Sequence, residues 1–265
     1  MCARAGLLRN RLRSFKSGVL AAVFLPFGPF VCVGSLDKSA AVFHILTGEI
    51  KFALAAHASA ITALAVSDDG ILLTASSDAD LRVWDLRMPW PDEMGTQLAC
   101  CEGAHTGAVS SCRLTDDGNA MISASEDSTL VVWDALKGLA LRYLSGHTGP
   151  VASFLLLQHQ GSSTHSPVAT RSSRITGPLK FIVSASQDGS IRVWDITTGL
   201  DQCFLRLGAA LTCLAKSRDE CTLAAGDVDG RVHLLSLCLP GEAKGGGESG
   251  AGAGAEVGAS EEQAC

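Results

Sequence analysis

The sequence predicts an all-β protein built from about five repeated units and followed by a disordered tail. Three sixteen-residue segments align without gaps: LLTASSDADLRVWDLR at 72–87, MISASEDSTLVVWDAL at 121–136 and IVSASQDGSIRVWDIT at 182–197. In each segment two apolar, β-branched runs flank a polar turn that contains an Asp, which is typical of a β-hairpin. Because an isolated hairpin is at best marginally stable, we expect the units to stack and bury both faces of each sheet.

The repeats share four side chains at matching positions. Each repeat has a His upstream, a hydroxyl residue in the first apolar run, an Asp in the turn and a Trp in the second run. The three sets are His57, Thr74, Asp78 and Trp84, then His105, Ser123, Asp127 and Trp133, and then His147, Ser184, Asp188 and Trp194. A hydroxyl, a His and an Asp also make up a hydrolase triad. A triad needs one pocket with an oxyanion hole, so threefold recurrence argues against catalysis.

These spacings resemble those of the WD40 family, and residues 182–197 resemble repeats of the β subunit of heterotrimeric G proteins. The resemblance implies a β-propeller, whose blades are four-stranded sheets stacked radially. It also implies that the four side chains form a structural chain, in which the hydroxyl links the indole to the imidazole and the Asp orients the imidazole. We therefore expect no catalytic residue, no metal and no cofactor, and the sequence contains no phosphate-binding glycine loop.

Two degenerate copies flank the three clear repeats. The first keeps Asp37 in its turn and places Phe43 at the Trp position, and the second keeps Asp229 and places Leu235 there. The predicted WD40 propeller covers residues 18–240, with blades near 18–54, 57–103, 105–145, 147–207 and 209–238. The family usually closes with more blades than five, which points to an incomplete array or to association with another chain.

The two ends of the chain differ in composition from its body. Residues 1–17 hold five basic side chains and no acid, whereas residues 241–265 hold five Glu and eight Gly. The C-terminal segment cannot bury enough apolar surface to fold, so we expect a disordered tail. Residues 7–15 echo the fourth strand of the third unit. We expect them to complete the last blade and close the ring, which would leave no unpaired edge.

The cysteines and the apolar run near the N-terminus bear on location. None of the ten cysteines forms a Cys-x-x-Cys pair, and most fall in apolar strand patterns, where a free thiol packs as a small hydrophobe. The run that follows Lys16 resembles a signal sequence, but Pro26, Gly28 and Pro29 interrupt it and it fits the first repeat. We therefore expect a protein of the cytoplasm or nucleus, without membrane contact.

We expect other proteins as partners, in a multi-protein complex. The net charge is −6 and the body of the chain is acidic, whereas a nucleic-acid binder needs a basic face. In the WD40 family, insertions at the positions that residues 88–95 and 158–178 occupy here fall in loops on one common face. These insertions carry the candidate contact residues Trp90, Arg171 and Arg174. On the opposite face, the usual family contact positions precede the turn Asp and are here Leu36, Ser77, Glu126 and Gln187.

The leading expectation is a protein–protein interaction scaffold or adaptor without catalytic activity. One alternative rests on Trp84-Asp85-Leu86-Arg87, which resembles the box by which some WD40 proteins dock on the damaged-DNA-binding adaptor of cullin-4 ubiquitin ligases. In that case the chain is a substrate receptor and Arg87 makes the contact. The other alternative rests on residues 224–237, which resemble the terminal repeat of WD40 arrays attached to NACHT-type ATPases. In that case the chain is the sensor propeller of a larger ATPase.

Overall fold

The structure, a computed structural model, consists of strands and turns in the residues that it describes. These residues are 12, 14–54, 57–87, 96–115, 118–158, 179–218, 220–238 and 256–259. They form no helix, and therefore no helix among them could span a membrane. The strands group into five four-stranded antiparallel sheets. The predicted all-β propeller class is confirmed.

Each sheet takes its four strands in chain order, and we call the sheets blades 1 to 5. Blade 1 contains β1 (Val19–Phe24), β2 (Phe30–Ser35), β3 (Ala40–His44) and β4 (Ile50–Leu54). Blade 2 contains β5 (Ile61–Val66), β6 (Ile71–Ser76), β7 (Leu81–Asp85) and β8 (Thr96–Cys101). Blade 3 contains β9 (Val109–Leu114), β10 (Ala120–Ser125), β11 (Thr129–Asp134) and β12 (Leu139–Ser145). Blade 4 contains β13 (Val151–Gln158), β14 (Leu179–Ser186), β15 (Ser190–Asp195) and β16 (Asp201–Arg206). Blade 5 contains β17 (Leu211–Lys216), β18 (Thr222–Asp227), β19 (Val232–Cys238) and β20 (Glu256–Ala259).

The turn between the second and third strands of a blade is held by its own Asp. In blade 3, Asp127 Oδ1 accepts a hydrogen bond from Thr129 N at 2.9 Å, and Ser128 between them has a φ of 71°. Blade 2 places Ala79 at this position with the same φ, whereas blade 4 places Gly189 there. Left-handed backbone costs a non-glycine residue about 1–2 kcal/mol. The carboxylate bonds offset this cost and fix the turn.

One apolar cluster lies at each of the four interfaces between consecutive blades, and equivalent positions contribute to all four clusters. We call the face of a blade that meets the preceding blade its front face, and the face that meets the following blade its back face. Between blades 2 and 3, the back face supplies Leu81 and Val83, and the front face supplies Val109 and Trp133. The three other clusters hold Ala40, Val42, Ile61 and Trp84, then Leu130, Val132, Val151 and Trp194, and then Ile191, Val193, Leu211 and Leu235. Burial of both faces supplies most of the free energy that stacks the blades.

Among the described residues no apolar cluster joins blade 5 to blade 1. The fifth cluster lies on the front face of blade 1 and contains Val31, Val33, Ala41 and Phe43. Leu12, Phe15 and Ile45 pack against it. The described part of the chain is therefore an open stack of five blades rather than a closed ring.

The fourth strand of blade 5 is β20, which pairs with β19. Of residues 7–15, which the sequence predicts to complete the last blade, the structure describes 12, 14 and 15, and Leu12 and Phe15 pack against blade 1. The other residues of that segment lie outside the described residues, and the closing strand stays a prediction. The rings of Phe15 and Phe43 meet edge-on with centroids 5.8 Å apart, and Lys16 N donates to Asp37 at 2.7 Å. β20 falls within the tail for which the sequence predicts no fold. The rest of that tail lies outside the described residues.

The described cysteines with free thiols include Cys32, Cys100, Cys101, Cys112, Cys203 and Cys213. Burial raises the pKa of Cys32 and Cys112 to about 12. A thiol with so high a pKa stays protonated at neutral pH. It is then unreactive, because only the thiolate is a good nucleophile. These two side chains therefore serve as small apolar groups of the core.

Candidate functional site

In blade 3 the four shared side chains form one continuous hydrogen-bond chain, which we call a tetrad. Trp133 Nε1 donates to Ser123 Oγ at 2.8 Å. The same Ser123 oxygen lies 2.7 Å from His105 Nε2, and His105 Nδ1 lies 2.9 Å from Asp127 Oδ2. Because an ionised carboxylate can only accept, Nδ1 of His105 carries the proton and donates to Asp127, and Nε2 of the neutral imidazole then accepts from the Ser123 hydroxyl. The chain requires a neutral imidazole.

Blades 2 and 4 repeat this geometry. In blade 2, Thr74 Oγ1 lies 3.1 Å from Trp84 Nε1 and 2.8 Å from His57 Nε2, and His57 Nδ1 lies 3.1 Å from Asp78 Oδ2. In blade 4 the matching distances are 2.8 Å for Trp194 to Ser184, 2.7 Å for Ser184 to His147 and 3.2 Å for His147 to Asp188. In each of the three blades, the structure thus brings together the four side chains that the sequence assigns to one set.

The tetrads hold neutral imidazoles beside ionised carboxylates. Burial lowers the pKa of His57, His105 and His147, and the nearby Asp of each tetrad only partly opposes this effect. Burial acts to raise the pKa of Asp127, but hydrogen bonds from Thr129 and Thr106 outweigh it, so that this pKa is lowered. The lowered pKa values favour a neutral imidazole and an ionised carboxylate near neutral pH, and in that state the four groups satisfy one another's hydrogen bonds, which supports a structural role.

Each tetrad Asp also fixes the segment that leads into its blade. Asp127 Oδ2 accepts a hydrogen bond from Thr106 N at 2.9 Å, next to the His of the same tetrad. The corresponding bonds run from Ala58 N to Asp78 at 2.7 Å and from Thr148 N to Asp188 at 2.8 Å. One carboxylate thus joins the turn of a blade to the connection from the preceding blade, and it holds both at one end of the sheet.

A row of exposed side chains sits on this frame. The residue before the turn Asp donates its N–H to the carbonyl that precedes the first strand of the blade, as in Glu126 N to Ala108 O at 2.9 Å. The same backbone bond recurs in all five blades, with lengths of 2.8–2.9 Å. The five side chains at this position are exposed and are Leu36, Ser77, Glu126, Gln187 and Val228. We call the surface formed by these five residues the tetrad face.

Blade 1 has an apolar counterpart of the tetrad that the sequence reasoning missed. Phe15 takes the His position and Phe43 the Trp position, with ring centroids 5.8 Å apart, against 5.9 Å for His147 and Trp194. Lys16 N donates to Asp37, which lies 21 residues further on, the same separation as between Thr106 and Asp127. That spacing is the signal in the sequence that could have identified Phe15.

Blade 5 uses a different Asp from the one expected. The sequence alignment assigns the turn to Asp229, but Asp229 is half exposed and pairs with Arg231 at 3.2 Å. Asp227 has the buried carboxylate instead: it accepts from Asp229 N at 3.0 Å and Arg231 N at 2.8 Å, and it lies 2.9 Å from His233 Nε2. Leu207 occupies the place of the tetrad His, three residues before Ala210, so no imidazole awaits Asp229. The sequence signal for this difference is the presence of two nearby Asp residues, Asp227 and Asp229.

Arg87 lies at the end of its blade away from the tetrad face. Its guanidinium is exposed and pairs with Asp85, with 2.9 Å between Nε and Oδ1 and a second contact between Nη2 and Oδ2. This pairing raises the pKa of Arg87 and lowers that of Asp85. The remaining candidates, Trp90, Arg171 and Arg174, lie outside the described residues. Within the described ranges, no three His, Cys, Asp or Glu side chains are grouped so that they could hold a metal ion.

Comparison with known proteins agrees with the repeat geometry. The family model described as "WD domain, G-beta repeat" matches residues 48–85, 95–134 and 138–195, which together make up about half of the chain. Mitochondrial division protein 1 of Kluyveromyces lactis is 26% identical over 185 residues, which is 66% of this chain and 26% of that protein. Nuclear distribution protein PAC1 of Arthroderma benhamiae is 27% identical over 200 residues, which is 71% of this chain and 38% of that protein.

A shorter match has a higher sequence identity. Apoptotic protease-activating factor 1 of Danio rerio is 38% identical over 111 residues, which is 41% of this chain and 7% of that protein. The chain thus corresponds to well under half the length of each of these curated relatives.

Proposed function

Because the chain belongs to the WD40-repeat family, whose members here point to a protein-interaction adaptor role, we propose that it is a non-catalytic adaptor that binds a protein partner on the tetrad face. The observation that carries this proposal is the contrast between an invariant frame and variable side chains. The same backbone hydrogen bond recurs in five blades, yet it presents five different exposed residues. Such a surface suits recognition, because binding groups are held by rigid elements.

The order of side chains along the tetrad face indicates the chemistry of the partner. Leu36 and Val228, at the two ends of the row, are exposed apolar groups. Ser77, Glu126 and Gln187 between them offer a hydroxyl, a carboxylate and an amide. A complementary segment would place apolar side chains at both ends and a Lys or Arg opposite Glu126, since a charged pair at an interface contributes specificity.

The reducing compartments of the cell, cytoplasm or nucleus, fit this proposal. The described cysteines named above are free thiols, and disulfides are the usual state of paired cysteines in secreted proteins. Localisation of a tagged full chain by microscopy tests this part separately.

The experiment is quantitative affinity purification of the full chain and of two matched variants. Leu36→Glu with Glu126→Lys alters the tetrad face, and Arg87→Ala alters the opposite end of blade 2. We expect the first variant to lose the proteins that wild type captures and the second to retain them. Capture that survives the tetrad-face change overturns the proposal. Loss in Arg87→Ala alone, with the cullin-4 adaptor among the lost proteins, supports the ligase alternative instead.

A further inference from the structure

The first residue of the first strand is fully buried in every blade that has a preceding blade. Ile61, Val109, Val151 and Leu211 pair with the last residue of the second strand, and each has an exposed fraction of 0%. Val19 takes the same register position in blade 1, opposite Ser35, and its exposed fraction is 54%. Phe24, on the same strand, is 72% exposed. The part of the front face of blade 1 that β1 forms is therefore uncovered.

The back face of blade 5 is uncovered at matching positions. In blades 1 to 4 the third strand buries two apolar residues against the following blade, and their exposed fractions are at most 1%. These pairs are Ala40 and Val42, Leu81 and Val83, Leu130 and Val132, and Ile191 and Val193. By strand register their counterparts in blade 5 are Val232 and Leu234, which are 68% and 53% exposed. Small side chains line the rest of this face, where Gly226 pairs with Cys213.

Blade 5 also has a hydroxyl at the position from which, in blades 2 and 3, a side chain donates a hydrogen bond to the next blade. Ser110 Oγ donates to Val151 O of the next blade at 2.6 Å, and Thr62 Oγ1 donates in the same way to Val109 O. Thr212 has this position in blade 5, where its hydroxyl contacts the carbonyl of Gly226 in its own blade at 3.2 Å. For Thr212, the corresponding acceptor would be the carbonyl of a residue at the position that Val19 has in blade 1.

We infer that the back face of blade 5 in one copy of this chain binds the front face of blade 1 in a second copy, head to tail. The two open faces are the two halves of an interface that the chain already forms four times between its own blades. Leu12 and Phe15 border the docking surface, because both pack against the apolar cluster on the front face of blade 1. The surface is distinct from the tetrad face, so this inference does not rest on the proposed function.

Head-to-tail binding differs in a testable way from a symmetric contact. A heterologous interface uses two different patches, so each copy has one donor end and one acceptor end and the assembly can grow. A symmetric dimer uses the same patch twice, and a single substitution in that patch removes the contact from both copies. Two variants that each damage one end therefore complement each other only in the head-to-tail arrangement.

Sedimentation velocity of the full chain over a range of concentrations tests the inference. Wild type should gain mass with concentration. Val19→Glu and Leu234→Glu should each sediment as a single chain, and their equimolar mixture should form a dimer and nothing larger, because one intact end of each kind remains. Tyr143→Glu, at an exposed apolar position on β12 away from both ends, is the control and should associate like wild type.

Thermal melts show that each variant is folded before its mass is interpreted. Where either of the first pair fails to melt cooperatively, Phe24→Glu and Val232→Glu replace it, since both side chains are more exposed and carry less of the fold. Wild type that stays a single chain up to its solubility limit overturns the inference. So does a mixture of folded variants that remains monomeric, or association that is equally strong in every variant.

Discussion

The indole Nε1 of Trp133 donates a 2.8 Å hydrogen bond to the hydroxyl of Ser123, and both groups are buried. The same oxygen must donate its own proton to His105 Nε2, which lies 2.7 Å away. One hydroxyl thus satisfies two buried groups that would otherwise lose their bonds to water. An unsatisfied buried polar group costs about 1–3 kcal/mol, so the hydroxyl matters more than its size indicates.

Replacement of Ser123 by Ala should therefore destabilise the chain by about 1–3 kcal/mol, because it strands the Trp133 N–H and the His105 nitrogen together. Urea unfolding followed by tryptophan fluorescence measures the difference. Ser145→Ala, at an exposed position on β12, is the matched control and should change stability by less than about 0.5 kcal/mol. Equal unfolding midpoints for the two variants would show that the tetrad contributes no stability.

The two Asp residues that the alignment treats as equivalent should respond differently to truncation. Asp127→Ala removes the partner of His105, one backbone bond at the turn and one to the segment that leads into the blade, and we expect a loss of about 1–3 kcal/mol. Asp229→Ala removes only an exposed pair with Arg231, so we expect a change below about 1 kcal/mol. A third variant, Asp227→Ala, should resemble Asp127→Ala. If Asp229→Ala is instead the more damaging change in blade 5, the turn is held as the alignment suggests.

The middle of the molecule could be predicted from sequence because its signals are local. The spacing from His105 through Ser123 to Trp133 is repeated in blades 2 and 4, and the alternation of apolar residues sets the strands. Phe15 has no polar signature of this kind, and only the 21-residue separation between Lys16 and Asp37 marks its position. Asp227 was obscured by a second Asp two residues later, and only the missing imidazole at Leu207 decides between them.

The ends of the chain depend on contacts that no local pattern encodes. Residues 7–15 resemble a fourth strand, but the partner of such a strand is set by which edge lies nearby. The structure puts β20 on the edge of β19, although its sequence Glu-Val-Gly-Ala has no strong strand pattern. In the same way, repeat counting gives five units but cannot show that the faces carrying Val19 and Leu234 are left open.

Stability should fall as the pH is lowered below 6.5, the ordinary pKa of His. The pKa of each tetrad His is lowered in the folded chain from an ordinary value of 6.5, so the unfolded chain binds protons first. This contribution is fully present above pH 6.5 and is lost as the pH falls through the folded pKa. Thermal melts across this range test it. His105→Gln removes one of three titrating groups and should flatten the dependence, whereas a midpoint that is constant in wild type contradicts the neutral imidazoles.

The position of Phe15 predicts how the N-terminal segment contributes to the fold. Its ring packs edge-on against Phe43, as His147 does against Trp194, and it covers the front face of blade 1. Phe15→Ala should therefore destabilise the chain by about 1–3 kcal/mol, less than the ~3–5 kcal/mol of a fully buried aromatic ring, because Phe15 is half-buried.

Leu139→Ala, at an exposed apolar position on β12, is the control for this change and should be neutral within about 0.5 kcal/mol. Hydrogen exchange then distinguishes the observed packing from the expected closing strand. If Phe15 belongs to blade 1, its removal should speed exchange of amides in β2 and β3, which carry Val33 and Phe43. If residues 7–15 instead complete the last blade, the faster exchange should fall in β19, because that strand would lose its edge partner.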